Sequence, residues 1–245
     1  MRAPRFLVPD GLAVGQTVEL PPACSHHALR VLRLRPHDAL VLFDGRGSEY
    51  EAFLMPGARG AGPLRATIVR GAAVNREARL RITIVQALSA QDKMDWLIEK
   101  TVELGVDRIV LASAARSVVH LSGPRQQRRV QRWHQLAAAA CAQCGRNRLP
   151  RVELADDLAA ALSAGAEASA RWLLEPSAPS GLVAPAGARS VALAVGPEGG
   201  FDAREAALAR SLGYVSARMG PRVLRTETAA VAAVCVLLAL DGEFS

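Results

Sequence analysis

The chain of 245 residues is long enough for one large domain or two of ordinary size, and half of its residues are apolar. Its formal net charge of +7 suggests a polyanionic partner but says nothing about the fold. Arg2, Pro4 and Arg5 interrupt any secretory signal, and the apolar run at 229–240 is too short to cross a bilayer. We therefore expect a cytoplasmic protein that keeps its cysteines reduced and does not enter a membrane.

Residues 1–75 are predicted to be rich in β-strands. Short apolar runs favour strands at 40–43, 49–54 and 64–70. The sequence DGRG at 44–47 is typical of a hairpin turn between the first two of these strands. Several short strands with a single small helix predict a compact β-barrel.

The one helix expected in this first part begins near Ser25, which could cap it. Its spacing predicts that Leu29 and Leu32 point inward. Arg30 and Arg33 would then be free to face the phosphates of a nucleic acid. An ordinary solvated surface explains these two arginines equally well.

Residues 76–245 alternate strands and helices. After a polar linker, an apolar strand at 80–87 leads into a helix that Ser89 could cap and that Gly105 could end. The next strand is expected at 108–112. This strand–helix–strand unit of about 30 residues predicts a parallel sheet.

The remaining segments continue the alternation. They are a helix at 125–143, strands at 171–175, 191–195 and 214–219, and two further helices. Asp202 and Glu205 form a capping-box pattern for the first of these two helices, which Gly213 could end. Thr226 is placed to cap the last helix. That helix is apolar almost all round, so we expect it to be buried in its own core or against a second subunit.

The positive charge comes almost entirely from arginine and is concentrated in one segment. Lys93 and Lys100 are the only lysines among 30 cationic side chains, and residues 116–151 include eight arginines and no acidic residue.

Cys141 and Cys144 have the spacing of half a metal site. The sequence offers no second pair and the surroundings predict an alanine-rich helix, so we expect no metal.

Two glycine-bearing loops, at 196–201 and 219–224, each follow a predicted strand and precede a predicted helix. Loops at the carboxyl ends of neighbouring parallel strands would direct backbone groups into a shared crevice. The dinucleotide fingerprint and the phosphate-binding P-loop motif are both absent from the sequence. The crevice is therefore not expected to hold a nucleotide by its phosphates. The first loop taken alone could equally be a purely structural turn or a ligand-binding loop. The second loop repeats the same arrangement at a strand end, which favours the ligand-binding interpretation.

The sequences GPEGG, at 196–200, and GPRVLRTETA, at 220–229, are similar to those of the RsmE-type 16S rRNA uridine-N3 methyltransferases. These enzymes belong to the SPOUT class, which uses S-adenosylmethionine (SAM). Residues 93–106 (KMDWLIEKTVELGV), 116–118 and 27–47 also resemble the family, so the resemblance extends over nearly the whole chain.

The resemblance implies an α/β protein of two domains. A PUA-like β-barrel over 1–75 would bind RNA, and a SPOUT domain over 76–245 would contain a trefoil knot, bind SAM and form a homodimer. The acceptor would be N3 of a uridine in 16S rRNA of the small ribosomal subunit. By the same resemblance, SAM binding falls on Leu173, Leu174, Gly196, Glu198, Gly199, Met219, Gly220, Val223 and Leu224.

Methylation at N3 of uracil requires the loss of an imide proton, which calls for a general base or a group that stabilises the anion. Arg225 could stabilise negative charge on the uracil oxygens, and Glu198 or Glu227 could accept the proton. Alternatively, Glu227 could simply favour the dipole of the helix that it begins, with Arg225 as its ion-pair partner.

Gln143 and Arg146 match part of the family's Glu-Gln-x-x-Arg pattern, whereas Ala142 stands where the family usually has Glu. Gln143 and Arg146 could contact RNA or a partner subunit. Arg116 matches the family's Arg-Ser-Val and could bind RNA phosphate.

The rival interpretation of the whole chain is a non-catalytic RNA-binding protein with a vestigial cofactor cleft.

Overall fold

The structure is a computed structural model that describes residues 3–56, 63–183 and 187–244. Contacts within the chain divide it into two units. The first unit consists of Met1–Glu77 together with Cys141–Leu149, and the second consists of Ala78–Ala140 together with Pro150–Ser245. Nothing in the sequence pattern indicated that Cys141–Leu149 would join the first unit.

The first unit is built on a five-stranded mixed sheet with the strand order β1-β3-β4-β5-β2. The strands are β1 (Arg5–Leu7), β2 (Thr17–Glu19), β3 (Ala39–Phe43), β4 (Ser48–Leu54) and β5 (Arg65–Ala73). β1 pairs with β3 in parallel and the other pairs are antiparallel. Among the described residues the edge strands β1 and β2 do not pair with each other. The sheet is therefore a half-barrel, whereas the sequence predicted a compact β-barrel.

The predicted hairpin turn between β3 and β4 is confirmed. The carboxylate Oδ1 of Asp44 accepts hydrogen bonds from the backbone N–H groups of Arg46 at 2.7 Å and of Gly47 and Ser48, each at 3.1 Å. Gly45 and Gly47 have φ angles of 76° and 126°, which side-chain-bearing residues rarely adopt. The strand alternation then buries Leu40 and Leu42 in the core of the half-barrel.

The helix predicted near Ser25 is present in a different form. α1 (Pro22–His26) continues into a π-helical turn at His27–Val31. Leu29 and Leu32 are exposed, so the prediction that they point inward is wrong. The wider π-helical turn changes the residue that faces the core, and Ala28 is buried instead.

Ser25 does not cap this helix. Its buried hydroxyl donates a hydrogen bond to the carbonyl of Leu20 at 3.1 Å and accepts one from the N–H of Leu64 at 3.2 Å. The side chain therefore fastens α1 to the segments that precede the helix and precede β5.

The second unit contains a six-stranded sheet in the order β11-β9-β10-β6-β7-β8, and every pair is parallel, as predicted. Its strands are β6 (Arg81–Ala87), β7 (Arg108–Ala112), β8 (Arg151–Leu154), β9 (Ala170–Leu174), β10 (Ser190–Val195) and β11 (Val215–Ala217). Its helices are α2 (Gln91–Glu103), α3 (Gly123–Cys144), α4 (Leu158–Ser163), α5 (Ala203–Ser211) and α6 (Thr226–Leu240). The last turn of α3 belongs to the first unit.

Helices α2 and α6 pack on each other. The inner face of α2 consists of residues at helical spacing that are all buried: Met94, Leu97, Ile98, Thr101 and Val102. α6 buries one face that includes two alanines, which allow a close approach: Ala230, Ala233, Val234, Leu237 and Leu238. The burial expected for α6 thus holds for that face, whereas Val231 and Cys235 are only half-buried. No helix in the described ranges is long and apolar enough to span a membrane.

The helix ends follow the predictions in part. Asp202 and Glu205 form the expected capping box at the start of α5, with Asp202 accepting from the N–H of Glu205 at 2.8 Å. Gly213 has a φ of 83° just beyond α5. The caps predicted at Ser89 and Thr226 are wrong, because α2 and α6 begin after Ala90 and Arg225 without a side-chain cap.

Candidate active site

Two loops of the second unit leave the carboxyl edge of its parallel sheet. The first loop, Gly196–Phe201, follows β10, and the second loop, Arg218–Arg225, follows β11. β9 lies between these two strands, and its last residue, Leu174, is the register partner of both Val195 and Ala217. The end of β9 therefore lies directly between the points where the two loops begin. This edge is where open α/β sheets bind ligands.

The first loop is a tight turn that requires glycine. A Cβ atom at Gly196 would lie 2.9 Å from the backbone nitrogen of Phe201 and 3.1 Å from the carbonyl carbon of Gly200. The N–H of Gly200 donates to the carbonyl of Pro197 at 2.9 Å, and Gly200 has a φ of 67°. The chain at Gly196 thus comes so close to itself that no side chain fits there.

A buried hydrogen-bond relay joins the first loop to β6 and α6. The hydroxyl of Thr226 donates to the carbonyl of Gly196 at 2.6 Å and accepts from Nε2 of Gln86 at 2.9 Å. Gln86 is 0% exposed and Thr226 is 6% exposed. We call Gln86, Thr226 and the Gly196 carbonyl the relay. Sequence reasoning missed Gln86, although a single polar residue near the carboxyl end of an apolar strand is a usable signal.

Glu198 on the first loop forms an ion pair with Lys93 in the first turn of α2, with Nζ to Oε1 at 2.7 Å. Their side chains are 32% and 25% exposed. Burial raises the pKa of Glu198, but hydrogen bonds from Lys93 and the backbone, together with the Lys93 charge, hold the pKa below its usual value. The same hydrogen bond raises the pKa of Lys93, which also senses the charges of Glu227 and Arg225. Four charged groups therefore share this edge of the sheet.

Glu227 and Arg225 are arranged differently from Glu198. Oε2 of Glu227 is buried and has no hydrogen-bond partner in the described part of the chain. Arg225 is exposed, and no ion pair joins it to an acidic side chain within the described ranges. The ion pair between Arg225 and Glu227 that the alternative interpretation required is therefore absent from the described ranges.

The second loop is hydrogen-bonded at its start to the segment after β9. The N–H of Arg218 donates to the carbonyl of Ser180 at 2.9 Å, and the N–H of Leu182 donates to the carbonyl of Arg218 at 3.1 Å. Within the described residues, no backbone N–H from Met219 to Leu224 donates a hydrogen bond. Val223 is 80% exposed. The main chain of this loop is thus free to pair with a ligand.

Arg116, predicted to bind RNA, lies against the first loop. Its Nη1 donates to the carbonyl of Gly199 at 2.8 Å, and a Cβ atom at Gly199 would meet Cβ and Cδ of Arg116 at 3.3 Å. The neighbouring N–H of Ala115 donates to Glu205 in the capping box at 2.7 Å. The segment after β7 therefore supports the first loop.

Gln143 and Arg146 belong to the first unit, in the segment Cys141–Leu149 that we call the strap. Arg146 is 3% exposed and pairs with Glu77. Next to it, Nδ2 of Asn147 donates to the carbonyl of Val74 at 2.9 Å. The prediction of an RNA contact by Arg146 is therefore corrected to an internal ion pair, whereas Gln143 remains exposed.

The strap is next to a second internal charge cluster of the first unit. Glu49 accepts hydrogen bonds from Nη1 of Arg76 at 2.8 Å and from Nη1 of Arg5 at 2.7 Å. The Arg76 hydrogen bond is the largest influence on the pKa of Glu49 and, with those from Arg5 and Asn147, outweighs burial and lowers the pKa from 4.5 to about 2. Arg5 also donates to the side chain of Asn147 in the strap.

The other predicted RNA contacts of the first unit, Arg30 and Arg33, are exposed on and just after the π-helical turn.

Cys141 and Cys144 are free thiols, and burial raises the pKa of Cys141 to about 12. Such a thiol is poorly suited to metal binding. Across the described ranges, no three His, Cys, Asp or Glu side chains form a group that could hold a metal ion.

Comparisons with known proteins agree with this geometry. A family model described as an RNA methyltransferase domain matches residues 76–238, and one described as an RNA methyltransferase PUA domain matches residues 23–54. The ribosomal RNA small subunit methyltransferase E of Mycobacterium bovis is 36% identical over 217 residues, which cover 85% of this chain and 80% of the relative.

Two solved structures match almost the full length. The Neisseria gonorrhoeae ribosomal RNA small subunit methyltransferase E, bound to SAM, is 34% identical with a TM-score of 0.85, and the match covers 98% of both chains. A Legionella pneumophila protein in complex with SAM is 32% identical with a TM-score of 0.90, again over 98% of both chains. Together these matches show that the chain belongs to the family of ribosomal RNA small subunit methyltransferases E.

Proposed function

We propose that this chain is a SAM-dependent methyltransferase that modifies N3 of a uridine in 16S rRNA of the small ribosomal subunit. The observation that supports this most directly is the pair of loops that flank the end of β9, joined through the relay to the first turn of α6. Relatives over nearly the full length of the chain were solved with SAM bound. A modifier of ribosomal RNA acts in the cytoplasm of a bacterium, where ribosomes are assembled.

The residues at this edge suit SAM. The free main chain of the second loop can pair with a flat heterocycle, and the glycine turn of the first loop lets its backbone approach closely. SAM would supply an electrophilic methyl group on a sulfonium, so no metal is needed. We assign its binding to the residues that line this edge: Leu173, Leu174, Gly196, Glu198, Gly199, Met219, Gly220, Val223 and Leu224.

Of the two candidate bases, Glu227 is better placed to accept the N3 proton. Glu198 already pairs with Lys93, and a carboxylate with a lowered pKa is a weaker base. Glu227 has a buried carboxylate oxygen without a partner in the described part of the chain. In this scheme the proton passes from N3 to Glu227, and Arg225 stabilises the negative charge on the uracil oxygens. The deprotonated N3 would then be the nucleophile for the methyl group that SAM would supply.

In this scheme Glu198 holds the first loop in place and does not accept the proton. Its ion pair with Lys93 fastens the first loop to α2. The alternative in which Glu198 is the base would require that pair to open during each turnover. The two assignments are separated by Glu227→Gln and Glu198→Gln, since only the loss of the true base leaves SAM affinity intact while turnover falls.

We further propose a division of labour along the chain. Residues 1–75 would hold RNA, with Arg30 and Arg33 among the contacts, and residues 76–245 would bind SAM and dimerise. Gln143, which belongs to the first unit although it lies outside residues 1–75, would also contact RNA. Exposed apolar side chains of the second unit, at Val223, Leu240 and Phe244, support a homodimer. A trefoil knot would require the second loop to cross the segment after β9. The hydrogen bonds from Arg218 to Ser180 and from Leu182 to Arg218 hold these two segments next to each other.

The test compares Arg225→Ala with the matched control Arg222→Ala, which removes an exposed arginine from the same loop. We expect Arg225→Ala to reduce methyl transfer about 100-fold or more, as the loss of a transition-state donor does, with SAM affinity within about threefold of wild type. The control should keep both. Equal turnover in the two variants would remove Arg225 from the mechanism. A wild-type chain that binds RNA but no SAM would favour the non-catalytic RNA-binding protein.

A further inference from the structure

A concave surface at the opposite edge of the second unit's sheet is lined by arginines. It has a volume of about 530 Å³ and is bordered by Arg79, Arg81, Ala188, Arg189 and Asp241. The backbone N–H of Arg81 donates to the carbonyl of Arg189 at 3.1 Å, which holds these two residues side by side at the amino ends of β6 and β10. We call this concave surface the arginine groove.

The charges of the arginine groove are not neutralised within the unit. Arg79 donates to the main-chain carbonyl of Asp241 at 3.0 Å and not to its carboxylate. Within the described ranges, none of Arg79, Arg81 and Arg189 forms an ion pair with an acidic side chain. By contrast, Arg108, Arg132 and Arg210 of the same unit each have a carboxylate partner. Asp241 offsets at most one of the three positive charges in the groove.

Three guanidinium groups around one concavity repel one another, and an anion between them relieves that repulsion. A phosphate matches their geometry best, because a guanidinium can donate two parallel hydrogen bonds to phosphate oxygens. For a chain of an RNA methyltransferase family, the phosphates at hand are those of the RNA backbone. The volume of about 530 Å³ has room for a phosphate with part of its nucleotide.

The position of the groove sets the length of RNA required. β6 runs from Arg81 at the groove to Ala87 at the edge where the candidate active site lies. At about 3.3 Å per residue, this strand separates the two sites by about 20 Å. A uridine mononucleotide or dinucleotide in the active site is too short to reach the groove, whereas a longer RNA can follow the surface of the unit from one site to the other.

We propose that the arginine groove is a second RNA-binding site, which takes a backbone phosphate of the substrate outside the nucleotide that is methylated. This assignment rests on the proposed function, since it requires RNA as the substrate. Its role is to hold and orient a long substrate, and it takes no part in methyl transfer itself. Its loss should therefore weaken the binding of long RNA and leave SAM binding unchanged.

The experiment uses the full chain with Arg81→Gln and Arg189→Gln combined. The control combines Arg204→Gln and Arg210→Gln, which removes the same formal charge from α5, where Arg210 is paired with Glu175. Binding to a 16S rRNA fragment of about 30 nucleotides is measured across a series of salt concentrations. Each lost phosphate contact lowers the slope of log affinity against log salt by about 0.7 to 0.9, so the groove variant, which loses its one phosphate, should lose about 0.8 and the control much less.

We also expect the groove variant to bind the long fragment roughly tenfold or more weakly at low salt, and to bind SAM and a uridine dinucleotide like wild type. Equal slopes and affinities for the groove and control variants would overturn the proposal. Inorganic phosphate that protects the groove from exchange, with no difference in RNA binding, would show a site for small anions only and would also overturn it. A wild-type chain that binds SAM but no RNA would contradict the proposed substrate itself.

Discussion

The relay makes a sharp prediction at Thr226. Valine has nearly the same shape as threonine but no hydroxyl, so Thr226→Val removes the bonds to the Gly196 carbonyl at 2.6 Å and from Gln86 at 2.9 Å. The Gly196 carbonyl is left buried without this donor, which costs about 1 to 3 kcal/mol, and the lost bond from Gln86 adds about 1 kcal/mol. We expect the free energy of unfolding of the variant to be about 2 to 4 kcal/mol lower than that of wild type.

The assay for Thr226→Val is urea denaturation followed by tryptophan fluorescence. Trp96, Trp133 and Trp172 all lie in the second unit, so the signal reports on the unit that contains the relay. Isothermal titration with SAM then measures whether the first loop still binds its ligand. A loosened loop must be ordered on binding, and we expect affinity to fall roughly tenfold, which corresponds to about 1.4 kcal/mol.

Thr226→Ser is the control for this prediction. Serine keeps the hydroxyl and both hydrogen bonds and loses only a methyl group, which should cost about 1 kcal/mol of stability and leave SAM affinity near wild type. If Thr226→Val matches Thr226→Ser in both stability and SAM affinity, the relay does not hold the first loop and the reasoning is refuted.

Three further predictions concern other contacts. The pKa of Glu49 is lowered to about 2 in the folded chain, so its contribution is present above about pH 4.5 and is lost as the pH falls towards 2. Hydrogen exchange should show that the free energy of unfolding of the first unit falls by about 1 to 2 kcal/mol over that pH range in wild type and does not fall in Glu49→Gln. If the two proteins have parallel pH profiles, this prediction is wrong. Arg146→Met should cost the first unit about 2 to 4 kcal/mol because Glu77 loses its partner, a loss that Glu77→Leu in the same chain should largely restore. Gly196→Ala should abolish measurable SAM binding because its Cβ would lie 2.9 Å from the nitrogen of Phe201, and unchanged binding would mean that the turn has an easy alternative.

Much of the second unit could be predicted because its signals are local. The strand at 108–112, the buried face of α2 and the capping box at Asp202 each follow from residue spacing within a few turns or strands. Parallel pairing followed from the alternation of strands and helices. β8 and α4 were not predicted, because each is short and its pattern is weak.

Two of the errors share one physical cause, which is that long-range partners override local preference. Thr226 has the composition of an N-cap, yet its hydroxyl bonds to Gly196, which is 30 residues away in the chain. Arg146 has the appearance of a surface cation in a basic segment, but Glu77, 69 residues away, holds it in the interior of the first unit. No periodicity in the sequence encodes either partner.

The candidate site was predictable in its location and not in its connections. Composition alone places the glycine loops at strand ends, and the family resemblance named their residues. The roles of Lys93 and Gln86 became visible only with the ion pair to Glu198 and the hydrogen bond to Thr226. The ion pair is also the reason that we propose Glu227 rather than Glu198 as the base, a choice that the sequence left open.

The most direct test of the whole account is methyl transfer by the purified chain. Small ribosomal subunits from cells that lack this protein are incubated with it and with SAM that has an isotope-labelled methyl group, and the 16S rRNA nucleosides are mapped by mass spectrometry. We expect one uridine to gain the label at N3 with wild type and almost none with Arg225→Ala. Label on a different atom, or no label in RNA although the wild-type chain binds SAM, would contradict the assignment.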